Sequence, residues 1–100
     1  MTVPSPAQIL ADSATYIEQH GWIQGDAENR RGEVCALGAI GRVSYAPEIP
    51  KDARWDLYDE AVELLSSYLH KEIIQWNDAL GRTAEDVITA MKEAAHVESR

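Results

Sequence analysis

The chain has 100 residues, of which 45% are hydrophobic and 26% charged, a composition typical of one globular domain rather than a disordered segment. Acidic residues outnumber basic ones by 17 to 9, and the net charge of −8 argues against direct binding to nucleic-acid phosphates, which depends on lysine and arginine. A single cysteine excludes an internal disulfide. With no export signal and no apolar run of membrane-spanning length, we expect a cytoplasmic protein that does not contact membranes.

The first predicted helix runs from Pro6 to His20. Ser5 is suited to cap its start, and Gln8 is suited to complete a capping box with Ser5. Pro6 fits the first helical position, and Gly21 follows the last turn as glycine often does at helix ends. The apolar residues of this segment recur at helical spacing: Ile9, Leu10, Ala14 and Ile17.

A loop is predicted for residues 22–32, which read WIQGDAENRRG. Two glycines, an asparagine and mixed charges are typical of loops. We expect Trp22 and Ile23 to anchor this loop to the core. Arg30 and Arg31 are expected to be solvated or to pair with the acids of the same loop, which are Asp26 and Glu28.

The second predicted helix, from about Glu33 to Tyr45, is rich in small residues. Glycine inside a helix costs about 1 kcal/mol relative to alanine, so Gly38 and Gly41 need a compensating contact. The expected compensation is close approach of a neighbouring helix or an aromatic ring to the backbone. We therefore predict a central, largely buried helix, with Leu37 and Ile40 as its large core residues.

The third predicted helix, from about Asp52 to Leu69, follows an extended connector that contains two prolines. Its acidic residues share one face: Asp52, Asp56, Asp59, Glu60 and Glu63. The opposite face is apolar and is predicted to pack on the core: Trp55, Tyr58, Ala61, Val62, Leu65 and Leu69. The acidic face is either simply solvated or a docking surface for a basic partner, such as a host DNA-binding protein.

The rest of the chain predicts two more helices after a break at His70. The first is short, lies within KEIIQWND, and is expected to bury Ile73, Ile74 and Trp76. The last begins at Thr83, where Asp86 provides an acidic capping box. Its apolar stripe is Val87, Ile88, Met91, Ala94 and Ala95.

The sequence thus predicts an all-α, compact single domain over residues 1–100, with four to five helices around a central small-residue helix. Residues 1–4 and 98–100 are expected to fray.

Three motifs resemble those of a known family. They are W-x-Q-G-D from Trp22, G-x-x-C-A-L-G-A-I from Gly32 and W-N-D-x-x-G-R-T from Trp76. The family consists of small uncharacterised proteins of actinobacteria and of the phages that infect them, and the resemblance spans residues 22–95. It implies no activity, but it implies a phage-encoded or mobile-element accessory protein. It draws attention to six residues: Cys35, Gly38, Trp76, Asn77, Asp78 and Arg82.

Cys35 has a catalytic and a structural interpretation. Amide groups and the dipole at a helix N-terminus can lower a thiol pKa. Cys35, His70 and then Asn77 or Asp78 follow the order of papain-like enzymes, with Gln24 upstream as an oxyanion donor. Such enzymes place their histidine on a β-sheet, which this sequence does not predict, so a buried structural cysteine is favoured.

The histidines are too scattered for a metal site, and no nucleotide-binding loop occurs, so no cofactor is predicted.

The turn WNDALGRT also allows two interpretations. Asn77, Asp78 and Arg82 could line a polar pocket beside Trp76. Alternatively, Asn77 and Asp78 end a helix by bonding backbone groups, Arg82 pairs with an acid, and Gly81 makes the turn, which is the favoured interpretation.

The sequence as a whole predicts a small acidic interaction protein that binds a host protein or a copy of itself. The alternative is a minimal cysteine-dependent hydrolase or transferase that uses Cys35 with His70. The candidate binding residues are those of the acidic face and the two tryptophan motifs: Asp52, Asp56, Asp59, Glu60, Glu63, Trp22, Trp76, Asn77, Asp78 and Arg82.

Overall fold

A computed structural model describes residues 3–99 and the side chains of residues 3–97. The described chain forms five helices: α1 Pro6–His20, α2 Ala36–Ser44, α3 Lys51–Leu69, α4 Ile73–Asn77 and α5 Ala84–Ser99. Residues 3–99 contain no strand, only two isolated bridges in which Val34 pairs with Trp22 and with Glu28. The all-α prediction is therefore confirmed. None of the helices described is long and apolar enough to cross a membrane.

The helices enclose one core. α1 packs against α2, α3 and α5, while α2 lies against α1, α3 and α4. The predicted inward residues of α1 are all buried, and on α5 all of the predicted stripe is buried except Ile88, which is half-buried. The radius of gyration of 12.5 Å is close to the value of about 13 Å that a 100-residue domain adopts. These features confirm a compact single-domain bundle.

The structure describes only part of the two chain ends that are predicted to fray. α5 includes residues 98 and 99, so the backbone there is helical. The fraying expected for residues 1–4 and 98–100 stays a prediction for residues 3, 4, 98 and 99. Residues 1, 2 and 100 lie outside the described part of the chain.

Two of the helix starts show how local sequence determines an element. The Ser5 hydroxyl accepts the backbone N–H of Gln8 at 3.1 Å, as predicted. The Gln8 side chain instead donates to Asp12 at 2.8 Å, so the reciprocal half of that capping box was wrong. At α5 both halves are present, because Thr83 and Asp86 each accept the other's backbone N–H at 3.1 Å.

The start of α2 differs from its prediction by three residues. Val34 is extended: its N–H donates to the carbonyl of Gly21 at 3.0 Å, and its own carbonyl accepts from Ile23 at 3.1 Å. The Cys35 N–H donates to the carbonyl of Ala27 at 3.1 Å. A helix starting at Glu33 would need the Val34 carbonyl to accept the N–H of Gly38. Because that carbonyl accepts from Ile23 instead, α2 begins only at Ala36.

The two helical glycines of α2 have different surroundings. A Cβ at Gly38 would lie 2.0 Å from the carbonyl oxygen of Ala27, so only glycine fits there. A Cβ at Gly41 would meet the Tyr58 ring at 3.8 Å, an ordinary contact distance. The predicted close approach is therefore found at Gly38, where the neighbour is a loop carbonyl rather than a helix or a ring, whereas the Tyr58 ring leaves room for a Cβ at Gly41. Ile40 is fully buried, whereas Leu37 is only half-buried.

Two residues predicted to be buried are exposed. On α3 the buried row is Leu57, Ala61 and Leu65, at spacings of four residues, and Trp55 lies outside it with 63% of its surface exposed. On α4, a helix of five residues, only Ile73 and Asn77 turn inward, and Ile74 is 50% exposed. Both residues lie beside the buried rows of their helices, so helical geometry turns them away from the core, and Trp55 stacks on Tyr58 instead.

Candidate functional site

Asn77 is the centre of a hydrogen-bonded network that joins three parts of the chain. It is 1% exposed and is the last residue of α4. Its Oδ1 accepts the indole N–H of Trp22 at 2.7 Å and the backbone N–H of Ala36 at 3.0 Å. Its Nδ2 donates to the carbonyl of Ile23 at 3.3 Å. One amide side chain therefore holds the loop, the start of α2 and the end of α4 together.

Gln24 and Asp78 extend this network. The Gln24 Nε2 donates to the carbonyls of Asn77 at 3.1 Å and Ala79 at 2.9 Å. The Asp78 Oδ1 accepts the backbone N–H of Gly25 at 3.1 Å and the Asn77 Nδ2 at 2.9 Å. The W-x-Q-G and W-N-D motifs, far apart in sequence, thus bind each other. We call the set the Asn77 junction; it consists of Trp22, Gln24, Gly25, Ala36, Asn77 and Asp78.

Cys35 is the N-cap of α2 and is 8% exposed. Its Sγ accepts the backbone N–H of Gly38 at 3.4 Å. Cys35, Leu37, Ile73 and Asn77 line a cavity of about 130 Å³ that is mostly apolar. The prediction of a buried cysteine near a helix start is confirmed, and the structure adds that the sulfur caps the helix.

The other proposed catalytic residues are arranged differently from a papain-like site. His70 is exposed at the end of α3, in a left-handed conformation with φ of 56°. Among the residues that the structure describes, no hydrogen bond joins Cys35 to His70, and His70 does not line the cavity at Cys35. The amide of Gln24, the expected oxyanion donor, is bonded to two carbonyls. Cys35 and Asn77 meet at the cavity, but Asn77 is held by the junction.

Trp76 and Arg82 form a separate pair. The Arg82 guanidinium carbon lies 4.1 Å from the centroid of the Trp76 ring, and Nε donates to the Trp76 carbonyl at 2.8 Å. Arg82 forms no ion pair among the described residues, so the prediction that it pairs with an acid was wrong; it contacts the indole face and a carbonyl instead. Trp76 and Arg82 line a shallow cleft beside Tyr68, whereas Asn77 and Asp78 line the cavity at Cys35. The structure divides the predicted polar pocket in two.

One acid of the loop pairs with an arginine outside the loop. Glu28 forms a two-bond ion pair with Arg42 of α2, and these hydrogen bonds hold the pKa of Glu28 below its ordinary value. Arg30 and Arg31 are exposed, as expected for a solvated pair. The spacing of 14 residues between Glu28 and Arg42 left no local signal in the sequence.

The acidic residues of α3 all face solvent. The ion pairs in the described part of the chain are Arg42 with Glu28 and Lys92 with Glu18, and neither involves α3. Arg54, the closest arginine in sequence, donates instead to the carbonyl of Ile49 at 3.0 Å. No group of three or more potential metal ligands is found among the residues described. We call this surface the acidic face; it consists of Asp52, Asp56, Asp59, Glu60 and Glu63.

Three aromatic side chains line up beside the acidic face. Trp55 stacks on Tyr58, with ring centroids 6.1 Å apart and planes at 27°. Tyr45, the C-cap of α2, meets Tyr58 edge-on at 6.5 Å and is 47% exposed. Burial raises the pKa of Tyr58, and the nearby Cys35, Tyr45 and Asp59 add to the rise. We call Tyr45, Tyr58 and Trp55 the aromatic row.

Sequence reasoning missed the aromatic row because it assigned Trp55 to the core. One signal was present: Trp55 follows Asp52 by three residues and precedes Asp59 by four, which places the three on adjoining positions of the helix. Tyr45 carried no such signal, because only the packing of α2 on α3 brings it to Tyr58.

Comparison with known proteins identifies a family but no described activity. No curated protein and no solved structure matches the chain. A family model described as "Family of unknown function (DUF6197)" matches residues 1–97, which include the loop, the Asn77 junction and the acidic face. Because this match covers nearly the whole sequence, the chain belongs to the DUF6197 family of unknown function.

Proposed function

We propose that this protein is a small interaction protein that binds a basic segment of another protein through the acidic face of α3. The observation that carries the proposal is the exposure of five carboxylates that have no ion-pair partner among the described residues. A surface of one sign attracts and orients a partner of the opposite sign.

The energetics of the helix support the same proposal. Like charges at spacings of three and four residues destabilise a helix by a few tenths of a kcal/mol per pair, on the order of 0.2–0.5. The acidic face contains several such pairs, including Asp52 with Asp56 and Asp56 with Asp59. Arg54 donates to the Ile49 carbonyl and forms no ion pair with these acids. Cations of a partner would remove this repulsion and gain charge-assisted hydrogen bonds.

The origin of the partner is part of the proposal and rests on the motif resemblance. The resemblance to small proteins of actinobacteria and their phages supports a phage-encoded protein that acts in the host cytoplasm. The partner is then a host protein with an exposed basic segment, such as a DNA-binding protein.

The test compares two variants of equal net charge. The first carries Asp56→Asn, Asp59→Asn and Glu63→Gln on the acidic face. The control carries Asp26→Asn, Glu48→Gln and Glu85→Gln, three exposed acids on other elements. Each variant removes three negative charges from the net −8, leaving −5. The immobilised parent and variants are exposed to an actinobacterial lysate, and captured proteins are quantified by mass spectrometry.

The expected result is that the parent and the control variant retain a basic protein that the acidic-face variant loses. The affinity for the purified partner should fall as NaCl rises, because exposed charges are screened over roughly 10 Å at 0.1 M salt. Binding that survives both the acidic-face substitutions and added salt would contradict the proposal. Equal loss in both variants would show that only net charge matters and would also contradict it.

A further inference from the structure

Building on the proposed function, we infer that the aromatic row is a seat for an arginine of the partner. The guanidinium lies on the outer face of the Trp55 indole, and the carboxylates of Asp52 and Asp59 flank it. The acidic face attracts the basic segment, and the aromatic row selects the residue that docks.

Trp55 has the exposure that such a contact needs. It is 63% exposed, although tryptophan is a residue that usually gains from burial. One side of its ring stacks on Tyr58, and most of the residue's surface remains open to solvent. Among aromatic side chains, the indole face attracts a cation most strongly.

The row is held in place before any partner arrives. Tyr58 is half-buried and lies against α2 at Gly41, and Tyr45 meets it edge-on at 6.5 Å. Trp55 in turn stacks on Tyr58. Because the ring is already supported on one side, binding needs to immobilise fewer side-chain rotations, and this lowers the entropic cost.

The charges around Trp55 match a cation. Asp52 and Asp59 are on the same side of α3 as Trp55, at the three- and four-residue spacings that bring Cβ atoms to about 5–6 Å. Both carboxylates are exposed and have no ion-pair partner among the described residues. Of the nearby cations, Arg54 is bonded to the Ile49 carbonyl. Lys51 precedes Trp55 by four residues, is exposed and forms no ion pair with either carboxylate.

Arginine fits this surface better than lysine. Its planar guanidinium can stack on a ring while its edge donates to carboxylates, whereas the lysine ammonium is a compact and strongly hydrated charge. The chain already contains one such contact, with Arg82 at 4.1 Å from the Trp76 ring centroid. A second copy of this chain is a poorer occupant, because two molecules of net charge −8 repel each other.

The experiment uses two defined probes, a peptide of six arginines and a peptide of six lysines. Calorimetric titration in low salt measures the Kd of each for the parent, Trp55→Leu and the acidic-face variant. Leu80→Ala is the matched control, since Leu80 is a fully exposed apolar residue at 105%. We expect the parent to prefer the arginine peptide by about two- to fivefold, the size of an exposed cation–aromatic contact. Trp55→Leu should abolish this preference, and Leu80→Ala should retain it.

A second readout locates the contact. The indole N–H resonance of Trp55 is identified as the one that is absent from the NMR spectrum of Trp55→Leu. This resonance should shift when the arginine peptide is added. The other two indole resonances should not, because Trp22 donates to Asn77 and Trp76 is covered by Arg82.

The outcomes separate the two proposals. Equal affinity for the two peptides, or an arginine preference that persists in Trp55→Leu, overturns the arginine seat. If the acidic-face variant nevertheless fails to bind both peptides, the proposed function stands without the arginine seat. Failure of the parent to bind either peptide overturns both. Dimers of the free protein in sedimentation analysis that Trp55→Leu dissociates would assign the row to a second copy and overturn the arginine seat.

Discussion

Gly38 is the position at which one missing side chain matters most to this structure. Alanine is normally the better helix former by about 1 kcal/mol. A Cβ at Gly38 would, however, lie 2.0 Å from the Ala27 carbonyl oxygen, which accepts the N–H of Cys35. We therefore predict that Gly38→Ala lowers the free energy of unfolding by about 1–3 kcal/mol, measured by urea denaturation.

Gly41→Ala is the matched control for that prediction. It lies one turn further along α2, where the nearest atom to an added Cβ is the Tyr58 ring at 3.8 Å. The substitution should be neutral or should stabilise by up to about 1 kcal/mol. Equal changes in the free energy of unfolding for Gly38→Ala and Gly41→Ala would show that the Ala27 carbonyl makes no close steric contact with α2.

The cap position of Cys35 changes what its substitution should do. In a purely apolar core, serine would cost more than alanine because it buries a hydroxyl. The Cys35 sulfur instead accepts the Gly38 N–H in the N-cap position, which serine fills well. We predict that Cys35→Ser changes stability little, whereas Cys35→Ala costs about 0.5–2 kcal/mol in the same denaturation measurement.

Thiol labelling checks the burial on which this prediction depends. A side chain that is 8% exposed should react with a thiol reagent far more slowly in the native protein than in the unfolded chain. Native labelling at the unfolded rate would contradict the structural role. It would also strengthen the alternative hypothesis of a hydrolase or transferase that uses Cys35 with His70.

At the scale of elements, α4 depends on the Asn77 junction. A helix of five residues is too short to be stable alone. Asn77→Ala would leave the Trp22 indole N–H and the Ala36 backbone N–H without their acceptor. Since a buried unsatisfied donor costs about 1–3 kcal/mol, we predict a loss of about 2–4 kcal/mol.

Hydrogen exchange and denaturation together test this role of Asn77. The amide of Ala36 should exchange faster in Asn77→Ala than in the parent. Gln75→Ala is the control, because Gln75 is exposed on the same helix. If both substitutions cost the same, Asn77 is not the residue that joins the loop, α2 and α4.

At the scale of the whole molecule, the net charge of −8 should make stability depend on salt. Self-repulsion destabilises a compact state, and ions screen it. We predict that the Tm of the parent rises between about 0.02 M and about 0.2 M NaCl. The variant with Asp56→Asn, Asp59→Asn and Glu63→Gln should have a higher Tm at low salt and a weaker salt dependence.

The variant with Asp26→Asn, Glu48→Gln and Glu85→Gln separates net charge from helix charge. It has the same net charge but keeps every like-charge pair of α3. We expect it to gain less stability than the acidic-face variant. The difference should be about 0.2–0.5 kcal/mol for each like-charge pair of α3 that the acidic-face variant removes. A parent whose Tm falls with salt would contradict the repulsion argument.

The sequence by itself determined the features that depend on neighbouring residues. Helical spacing predicted the buried side of α1, where Ile9 and Ile17 lie in the core. Capping chemistry located the start of α5, where Thr83 and Asp86 accept each other's N–H groups. These signals act over three or four residues, so they survive whatever the rest of the chain does.

Only the tertiary structure decided the features that depend on distant partners. Val34 leaves the helix because Gly21 and Ile23 offer it backbone bonds. Asn77 is buried where it accepts a hydrogen bond from Trp22, which lies 55 residues earlier in the chain. Trp55 is exposed because the helices around α3 do not cover it. Burial and hydrogen bonding at these positions are properties of how the helices pack. No local pattern specifies which groups that packing brings together.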